Sequence, residues 1–430
     1  MAGGLTQLLA WGSQNIKLNG NPKITFFKNV YKSHSNFSME SIQIELNRTD
    51  ANINDITIFK AKLKRHGDLV QQVYFVFELP DIVTNNADFA WVNNIGEAAI
   101  DNYHINIGGV LADRQYGEFL HVSNLLSQPS AKYNVYRKLI GDVPSLTNPK
   151  STTANGQYPP ATPAIPSRKI YVPLNFWFNK DSGSSLPLLC LQYSETEITI
   201  EMRPLAQLYK VYGRQPRATQ LESLPVFVHN GNRRFMINNS TVNIRAYLEV
   251  NYYFVDVKER EAIAYNSHEY LIEQTTRIER FGLSSTNIFD LVLQNPVKEF
   301  IWVIRRNDVP ASFFEFTDNG ASIMQSAKFV FNGIDRIDEK DWMYFNHMQT
   351  YQHHNGAGKD GLYIYSFSMT PDDISQPSGS CNMSRINKIQ FMLTCMNPIL
   401  SSYKYDMTLY VISYNFLKIT SGLAGIVFST

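Results

Sequence analysis

Cysteine is nearly absent from this chain of 430 residues, which contains only Cys190, Cys381 and Cys395. Three cysteines cannot form a disulfide framework, and their spacing fits no zinc site. Cys190 lies in the apolar run LPLLCL, where a thiol acts as a small buried hydrophobic group. A chain with so few cysteines is typical of a reducing compartment.

Charged residues are also scarce, at 18% of the chain against roughly 25% in an average soluble protein. The 39 lysines and arginines balance 38 aspartates and glutamates, which leaves a net charge of +1. A nucleic-acid-binding surface needs a strong basic field, and this sequence supplies none. The only adjacent arginines, Arg233-Arg234 and Arg305-Arg306, are far apart and are interpreted as surface or interface charges. We therefore expect no direct contact with nucleic acid.

Long hydrophobic runs are missing. The longest, such as Phe300 to Ile304, fall far short of the roughly 20 residues that a membrane-spanning helix needs. The opening MAGGLTQLLAWGSQ lacks the basic region of a signal peptide, and its apolar part is short and broken. The sequence therefore predicts a soluble protein that is made inside the cell and has no transmembrane segment.

Recognised catalytic motifs are absent as well. The chain has no G-x-S-x-G nucleophile elbow, and no cysteine lies in a known nucleophile context. GAGKDG, at 356–361, satisfies G-x-G-x-x-G, but a dinucleotide-binding loop must follow a strand and open a helix. Here the strand-like run LYIYSFSM comes after the motif, so a loop before a strand is the better interpretation.

A group of histidines and carboxylates is the remaining candidate for a metal site. Its members are His347, His353, His354, Asp335, Asp338, Glu339 and Asp341. Adjacent histidines in an extended chain point to opposite sides, so His353 and His354 could not both join one site. We interpret the group as solvated loop residues. The sequence thus predicts no catalytic residues, no cofactor-binding residues, no metal ligands and no cofactor, and indicates that the protein is not an enzyme.

Aromatic residues and period-2 alternation are what the chain has in abundance. Aromatics make up 13% of the residues, a bias that suits strands. Apolar and polar residues alternate over Val73–Leu79, Ile198–Met202 and Val242–Phe254, as in strands with one buried face. Helical patterns are short, roughly Asp113 to Ser127, Lys258 to Tyr265 and Glu339 to Phe345. The fold class predicted from these patterns is all-β.

Three segments interrupt the alternation. The stretch 141–167 is rich in Pro, Ser, Thr and Gly and is predicted to be a long loop, and the weakly patterned 204–239 is a second one with short strands at most. The N-terminal segment Met1 to Gly20 places leucines and Trp11 among polar residues. A membrane-surface helix would need a basic face that this segment lacks, so we interpret it as a docking arm that packs under neighbouring subunits.

A weak internal repeat divides the chain. Ile105–His121 and Lys328–His347 share the order strand, glycine turn, short strand and helix, with Gly109 matching Gly333. An aromatic strand and a Ser/Pro/Gly-rich turn follow in each copy. Two copies of one β module, with a boundary near Asp256, are the simplest interpretation.

Several stretches in the same order resemble a known family. They are MAGGLTQLLAWGSQ, NPKITFFKNVYKSHSNF, HEYLIEQ (268–274), YIYSFSM followed by QPSGSCNMSRI (376–386), and ITSGLAGIVF (419–428). Together they resemble the major capsid proteins of nucleocytoplasmic large DNA viruses, with the algal-virus, phycodnavirus-like branch as the nearest in character. The loop between Arg306 and Ser326 is short beside many relatives. Because of this difference in loop length, the outer surface of the family's members cannot be transferred to this chain.

The resemblance implies a double jelly roll, two tandem eight-stranded antiparallel β-sandwiches with short helices and long loops. It divides the chain into an arm (1–25), a first jelly roll (26–256) and a second (257–430). It further implies a homotrimer that forms pseudo-hexagonal capsomers of an icosahedral capsid, assembled in the host cytoplasm. Implied partners are neighbouring capsomers, minor capsid and penton proteins, and proteins associated with an inner membrane. The implied location is the virion.

A carbohydrate-binding or glycan-processing β-sandwich is the alternative. Aromatic faces stack on sugars, and jelly rolls include lectins, so the tyrosine and tryptophan content fits this class. However, the ordered capsid-like stretches have no place in it. Lectins also usually act in secreted form, and no export signal is visible in this sequence.

Overall fold

The structure is a computed structural model that describes residues 3–49, 54–84, 87–151, 163–213, 226–230, 233–236, 244–309, 312–400 and 402–428. Its contacts divide the chain into a short unit, Met1–Asn36, and a compact unit, Phe37–Thr430. The short unit contains helices α1 (Gly3–Leu9) and α2 (Ile16–Asn19), neither of which buries a side chain. Within the compact unit, we call residues 37–256 the first half and 257–428 the second half. The bounds of the three predicted domains remain predictions.

The first half is built mainly of strands. They are β1 (Phe37–Glu45), β2 (Asn47–Arg48), β3 (Thr57–Lys62), β4 (Leu69–Leu79), β5 (Asp81–Thr84), β6 (Ala87–Trp91), β7 (Ile100–Ile107), β8 (Val110–Tyr116), β9 (Arg168–Pro173), β10 (Thr196–Met202), β11 (Tyr209–Gly213), β12 (Val226–Asn230), β13 (Arg233–Met236) and β14 (Ala246–Val255). The helices are α3 (Ile95–Ala99), α4 (Gly117–Ser127), α5 (Ser130–Leu139), α6 (Pro144–Thr147) and α7 (Trp177–Lys180). Leu248, Val250 and Tyr252 of β14 are buried and alternate with half-buried polar neighbours, as the sequence pattern predicts.

The second half repeats this composition. Its strands are β15 (His268–Leu283), β16 (Thr286–Leu291), β17 (Pro296–Arg306), β18 (Thr317–Asp318), β19 (Ala321–Ser322), β20 (Met324–Phe331), β21 (Ile334–Asp335), β22 (Lys340–Asp341), β23 (Leu362–Ser366), β24 (Cys381–Asn382), β25 (Ile389–Cys395), β26 (Tyr405–Thr420) and β27 (Leu423–Ile426). Helix α8 (Val257–Tyr265) connects the halves. Residues 342–353 are helical, with a π-turn at Tyr344–Met348 that continues into α9 (Gln349–His353).

Both halves have the same strand order. The first half contains the sheets β1-β14-β4-β9 and β2-β3-β10-β7-β8, and the second contains β15-β26-β17-β23 and β16-β25-β20-β21. If the eight main strands of each half are counted along the chain, one sheet has the order 1-8-3-6 and the other 2-7-4-5. All the pairs in these sheets are antiparallel. This is the topology of two jelly rolls in tandem, and it confirms the predicted all-β fold class.

Three excursions of the first half meet at one end of its sandwich. Strand β5 pairs with β12, and β6 pairs with β11. Isolated bridges join Ile82 to Ile165 and Phe89 to Lys150, which brings in the long loop before β9. The parts of the predicted loops 141–167 and 204–239 that the structure describes therefore form one small structured cap. Residues 152–162, 214–225, 231–232 and 237–239 of these loops lie outside the described residues.

The predicted helices are partly confirmed. The prediction over 258–265 agrees with α8. The prediction over 113–127 is wrong at its start, because residues 113–116 belong to strand β8. Asp113 and Gln115 are buried and Arg114 is exposed, which is the alternation of a strand. The prediction over 339–345 is confirmed for 342–345 and wrong at its start, because the helix begins at residue 342. The preceding Asp341 carboxylate accepts the Tyr344 N–H at 3.1 Å. No helix in the described ranges is long and apolar enough to cross a membrane.

The glycine turns of the internal repeat are confirmed in detail. Gly108-Gly109 connects β7 to β8, with φ of 60° and 81°. Asn332-Gly333 connects β20 to β21, with φ of 50° and 83°. Two successive residues at positive φ are the requirement of a tight type I′ hairpin, and glycine meets it without a Cβ penalty.

Gly109→Ala and Gly333→Ala are each expected to lower the free energy of unfolding by about 1 kcal/mol, because an L side chain is strained at positive φ. A Cβ at either position would meet no other atom within 4 Å, so the cost is conformational only. Gly425→Ala is the matched control, because that glycine also has free space around it but is not at positive φ. Urea unfolding measures all three. Equal losses in the control and the turn variants would contradict the assignment.

Candidate functional site

The contact between the two halves contains polar side chains from both of them. Edge strand β8 of the first half lies against β15 of the second. The side-chain amide of Gln274 donates to the Ala112 carbonyl at 2.8 Å, and Thr275 bonds the Gln115 side chain at 3.4 Å. The Arg277 guanidinium lies 4.2 Å from the centroid of the Tyr116 ring. Polar and cation–π contacts thus fix the register between the halves.

Helix α4 extends this contact. The Glu118 carboxylate is buried and accepts the Tyr410 hydroxyl at 2.7 Å and the Arg305 guanidinium at 3.3 Å. The His121 ring stacks on Phe314 with centroids 4.2 Å apart. Burial and the Glu118 charge raise the pKa of Tyr410 well above its ordinary value, so its hydroxyl remains a donor at neutral pH.

The same contact between the halves also contains a buried network of charged side chains. The Lys298 ammonium bonds the Glu273 carboxylate, which also accepts Lys180 at 2.9 Å. Lys298 and Glu273 are 4% and 5% exposed, so water does not screen the pair. Burial opposes the ionised carboxylate, but the two lysines outweigh it and lower the pKa of Glu273 to about 2. The pKa of Lys298 is raised by the same pair, against its own burial.

His354 ends a second arm of this network. Its ring contacts the Asp372 carboxylate at 2.9 Å and the Glu299 carboxylate at 3.2 Å, and its side chain is 2% exposed. Burial alone would lower the pKa of His354, but the hydrogen bond to Asp372 and the negative charges of Asp372 and Glu299 raise it to about 9. His354 is therefore an imidazolium at neutral pH. The interpretation of His354 as a solvated loop residue is wrong, because this residue ends α9 in an extended backbone conformation and its side chain is buried.

The network borders a cavity of about 580 Å³ between the halves, lined by side chains from α4, α5, β15 and β17. Three cations (Lys180, Lys298 and His354) face three carboxylates (Glu273, Glu299 and Asp372). Each charge has an opposite charge within 4.0 Å. The groups neutralise one another, and this arrangement suits a rigid contact between the halves.

The other residues considered from the sequence are dispersed. His347 is exposed beside Trp342, and His353 contacts the Met369 carbonyl. Asp335 pairs with Lys328, Glu339 bonds Ser326, and Asp341 caps the helix. Across the ranges that the structure describes, no group of three or more His, Cys, Asp or Glu residues could hold a metal ion. The three cysteines are free, and Cys190 and Cys395 are buried.

The GAGKDG segment at 356–361 is confirmed as a loop before a strand, and it has a structural role. The Gly356 N–H donates to the Leu126 carbonyl at 2.6 Å, and the Gly358 N–H donates to the Leu125 carbonyl at 3.2 Å. These carbonyls are at the end of α4, where backbone acceptors lack partners within the helix. A Cβ on Gly356 would lie 2.2 Å from the Leu125 oxygen, so only glycine fits this approach. The loop from the second half thus caps a helix of the first.

Sequence reasoning did not find the charge network. The sequence feature that could have revealed the network is the Lys298-Glu299 pair, which lies inside the otherwise apolar strand that runs from Val297 to Ile304. Two adjacent opposite charges in a strand of that kind must be paired or must face a polar neighbour. The partners Lys180 and Glu273 come from distant segments, so spacing along the chain could not identify them.

Two exposed surfaces complete the site. The first, the open sheet face, is the outward side of β1, β14, β4 and β9, and it consists of Met39, Ser41, Gln43, Tyr247, Glu249, Asn251, Tyr253, Tyr74 and Tyr171. The second, the open helix face, is the outward side of residues 342–353, and it consists of Met343, His347, Met348 and Tyr351. Met39 is 68% exposed and Tyr351 is 91% exposed. On the open sheet face Met39, Ser41 and Gln43 are exposed, and the tyrosines are half-buried. Outward-facing patches of this kind are typical of protein interfaces.

Two family models match the chain. Residues 25–256 match the model described as major capsid protein N-terminus, and residues 259–425 match the model described as large eukaryotic DNA virus major capsid protein. The chain is 31% identical to the major capsid protein of Phaeocystis pouchetii virus and 30% identical to that of Pyramimonas orientalis virus. Each alignment covers 100% of both sequences.

Solved structures agree on the fold. A chain of the PBCV-1 virus capsid superposes with a TM-score of 0.73, at 24% sequence identity, over 94% of this chain and 100% of that one. The Faustovirus major capsid protein superposes with a TM-score of 0.72, at 13% identity, over 97% of this chain and 96% of that one. At these identities the likeness concerns the fold, the double jelly roll.

Proposed function

The chain belongs to the major capsid proteins of large eukaryotic DNA viruses, and from this membership we propose that three copies form a capsomer with six similar modules around a threefold axis. The chain is a structural component of the virion capsid shell and not an enzyme. In the proposed capsomer, each copy supplies two neighbouring modules of the pseudo-hexagon. Such a building block tiles a flat facet of an icosahedral shell.

The observation that carries the proposal is the contact between the halves. Two modules of the same strand order meet through unlike surfaces, because β8 and α4 of the first half lie against the sheet of β15, β26 and β17 in the second. A contact between unlike surfaces of similar modules is heterologous, and its repetition generates rings. One chain thus has the form of two consecutive members of such a ring.

The distribution of aromatic side chains supports a structural task over sugar binding. Trp91 and Trp302 are at most 1% exposed. Trp302 packs against Phe329, Phe345 and Phe391 inside the second sandwich. Rings that fill cores cannot stack on a glycan, so these buried tryptophans do not favour the carbohydrate-binding alternative.

We assign the proposed partners of the capsomer to separate regions. The structured cap of β5, β6, β11 and β12 is assigned to the outward surface, as the family resemblance implies. The arm is assigned to contacts with minor capsid proteins, penton proteins and proteins of an inner membrane. This assignment rests on the resemblance together with the exposed leucines and Trp11 of the arm.

Light scattering coupled to size-exclusion chromatography tests the trimer. The purified chain is expected to elute with three times its chain mass of 49.2 kDa, and the mass should be constant over a tenfold range of concentration. A capsomer has to survive dilution before assembly, which requires an interface of standard size or larger. A mass of one chain at every concentration would contradict the proposal, and negative-stain images of the eluted particle would show whether it is pseudo-hexagonal.

A further inference from the structure

Three buried polar side chains meet where edge strand β8 lies against β15. The Thr275 hydroxyl donates to the side-chain carbonyl oxygen of Gln115 at 3.4 Å. Through the other end of the same amide, Gln115 Nε2 donates to both carboxyl oxygens of Asp113, each at 3.1 Å. A hydroxyl, a primary amide and a carboxyl group are therefore aligned in that order across the contact between the halves.

The three side chains are shielded from solvent. Asp113, Gln115 and Thr275 are 2%, 3% and 9% exposed. Burial raises the pKa of Asp113 to about 7, so its carboxyl is protonated in about half of the molecules at neutral pH. An acid whose pKa lies near the working pH both holds and releases a proton readily. Asp113 is thus placed and poised to protonate the Gln115 nitrogen.

Contacts on both sides of the group fix its position. Gln274 Nε2 donates to the Ala112 carbonyl at 2.8 Å. The Arg277 guanidinium lies 4.2 Å from the centroid of the Tyr116 ring. These two contacts flank residues 113–115 of β8, so the strand cannot slide along β15 without breaking them. A nucleophile and an electrophile that are held in a fixed arrangement react as if each were present at a very high concentration.

From this geometry we propose that Thr275 and Gln115 form an intramolecular ester, which joins the two halves covalently. Thr275 Oγ1 attacks Gln115 Cδ, and the hydroxyl proton moves to Oε1. The carbonyl re-forms as the C–N bond breaks, and the nitrogen leaves with the bonding electron pair and a proton from Asp113. The proton on Oε1 replaces the one that Asp113 has given. The products are the ester and one ammonia, and no oxidant, reductant or other reactant is needed.

The surroundings of the amide favour the release of ammonia. Gln115 and Thr275 both line the cavity of about 580 Å³ between the halves, which gives ammonia room to leave. Once the ammonia has diffused away, the reverse reaction lacks its reactant. The ester connects residues that are 160 positions apart in the chain, so it keeps β8 and β15 together when denaturant breaks the other contacts. It is a property of the single chain, and it holds or fails independently of the proposed trimer.

Mass spectrometry of the denatured chain tests the ester. The wild-type chain is expected to be lighter than its sequence mass by about 17 Da, the mass of one ammonia. After digestion with trypsin, peptide 115–132 should be joined to peptide 261–277. Alkaline hydroxylamine should separate the two peptides, because it cleaves esters and leaves amides intact. A chain of full sequence mass that yields the two peptides separately would overturn the proposal and leave an ordinary hydrogen bond.

Three variants assign the atoms. Thr275→Val removes the nucleophile at a similar shape and is expected to restore the full sequence mass. Thr276→Val is the matched control, because Thr276 is the next residue of β15 and is exposed, so this variant should keep the mass loss. A loss that persists in Thr275→Val would mean that the ammonia comes from elsewhere, and it would overturn the proposal.

Asp113→Asn keeps the shape of the side chain and removes the acid. It is expected to slow the formation of the ester about 100-fold, the lower end of general acid–base catalysis. The measurement is the cross-linked fraction against time in freshly synthesised chain, and circular dichroism checks that the variant folds. If the variant forms the ester as fast as the wild-type chain, the assignment of Asp113 as the acid is wrong.

Discussion

Lys298→Ala is expected to lower the free energy of unfolding by about 3–5 kcal/mol, the usual cost of breaking a buried ion pair from one side. The substitution leaves the Glu273 carboxylate buried, and among the described residues Lys180 remains as its cation, at 2.9 Å. In the same part of the chain, Glu299 retains His354 as its cation. The loss arises because buried carboxylates without compensation are far less stable than solvated ones. Urea unfolding at one fixed protein concentration measures it.

Two further variants are the controls for Lys298→Ala. Lys62→Ala removes the lysine of another close ion pair, Lys62–Glu195 at 2.6 Å, but both side chains are exposed, so stability should change little. Glu273→Leu combined with Lys298→Met removes both charges and keeps the volume, and it should cost much less than Lys298→Ala alone. If the double variant is as unstable as the single one, lost packing and not the uncompensated charge is the cause.

The strand pattern explains how much of this fold could be predicted. In the first-half sheet, β14 alternates between buried and half-buried residues, and β4 does so except at the buried Val76, so the sequence predicts these strands. In β17, Val297 and Phe300 to Ile304 are all buried, which produces a continuous apolar run in place of alternation. The difference between the two patterns already indicates which sheet is covered on both faces. It does not indicate what covers it, because α4 and β8 lie far away in the chain.

The candidate site was harder to predict for the same reason. Its bonds join segments that are distant in sequence, as between Glu118 and Tyr410 or Lys180 and Glu273. Each of these residues is an ordinary polar residue of a strand, helix or loop when only its neighbours are considered. The glycine turns were found because Gly109 and Gly333 satisfy a local rule about φ, which needs no knowledge of the rest of the fold. Local sequence rules therefore predicted the strands and turns, whereas the positions of the buried charged side chains depend on contacts between distant segments.

The contribution of His354 to stability is expected to disappear in alkaline solution. Its pKa is raised from 6.5 to about 9 in the folded chain. A raised folded-state pKa gives a stabilisation that is complete below 6.5 and is lost as the pH rises through about 9. The shift corresponds to about 3 kcal/mol. The ring faces Asp372 and Glu299, and Lys298 lies 3.8 Å from Glu299 on the other side.

The measurement is the difference in unfolding free energy between the wild-type chain and His354→Gln at pH 6.5 and above pH 9. A difference is needed because burial also raises the pKa of Asp113 to about 7, so its carboxyl lowers stability as the pH rises from 3.8 to 7 in both proteins. That contribution cancels, and so does that of Glu273, which varies only in acid. The difference should therefore shrink by about 3 kcal/mol between the two pH values. A difference that stays constant would mean that His354 acts by shape alone, and the ion pairs with Asp372 and Glu299 would then contribute no net stability to the folded chain.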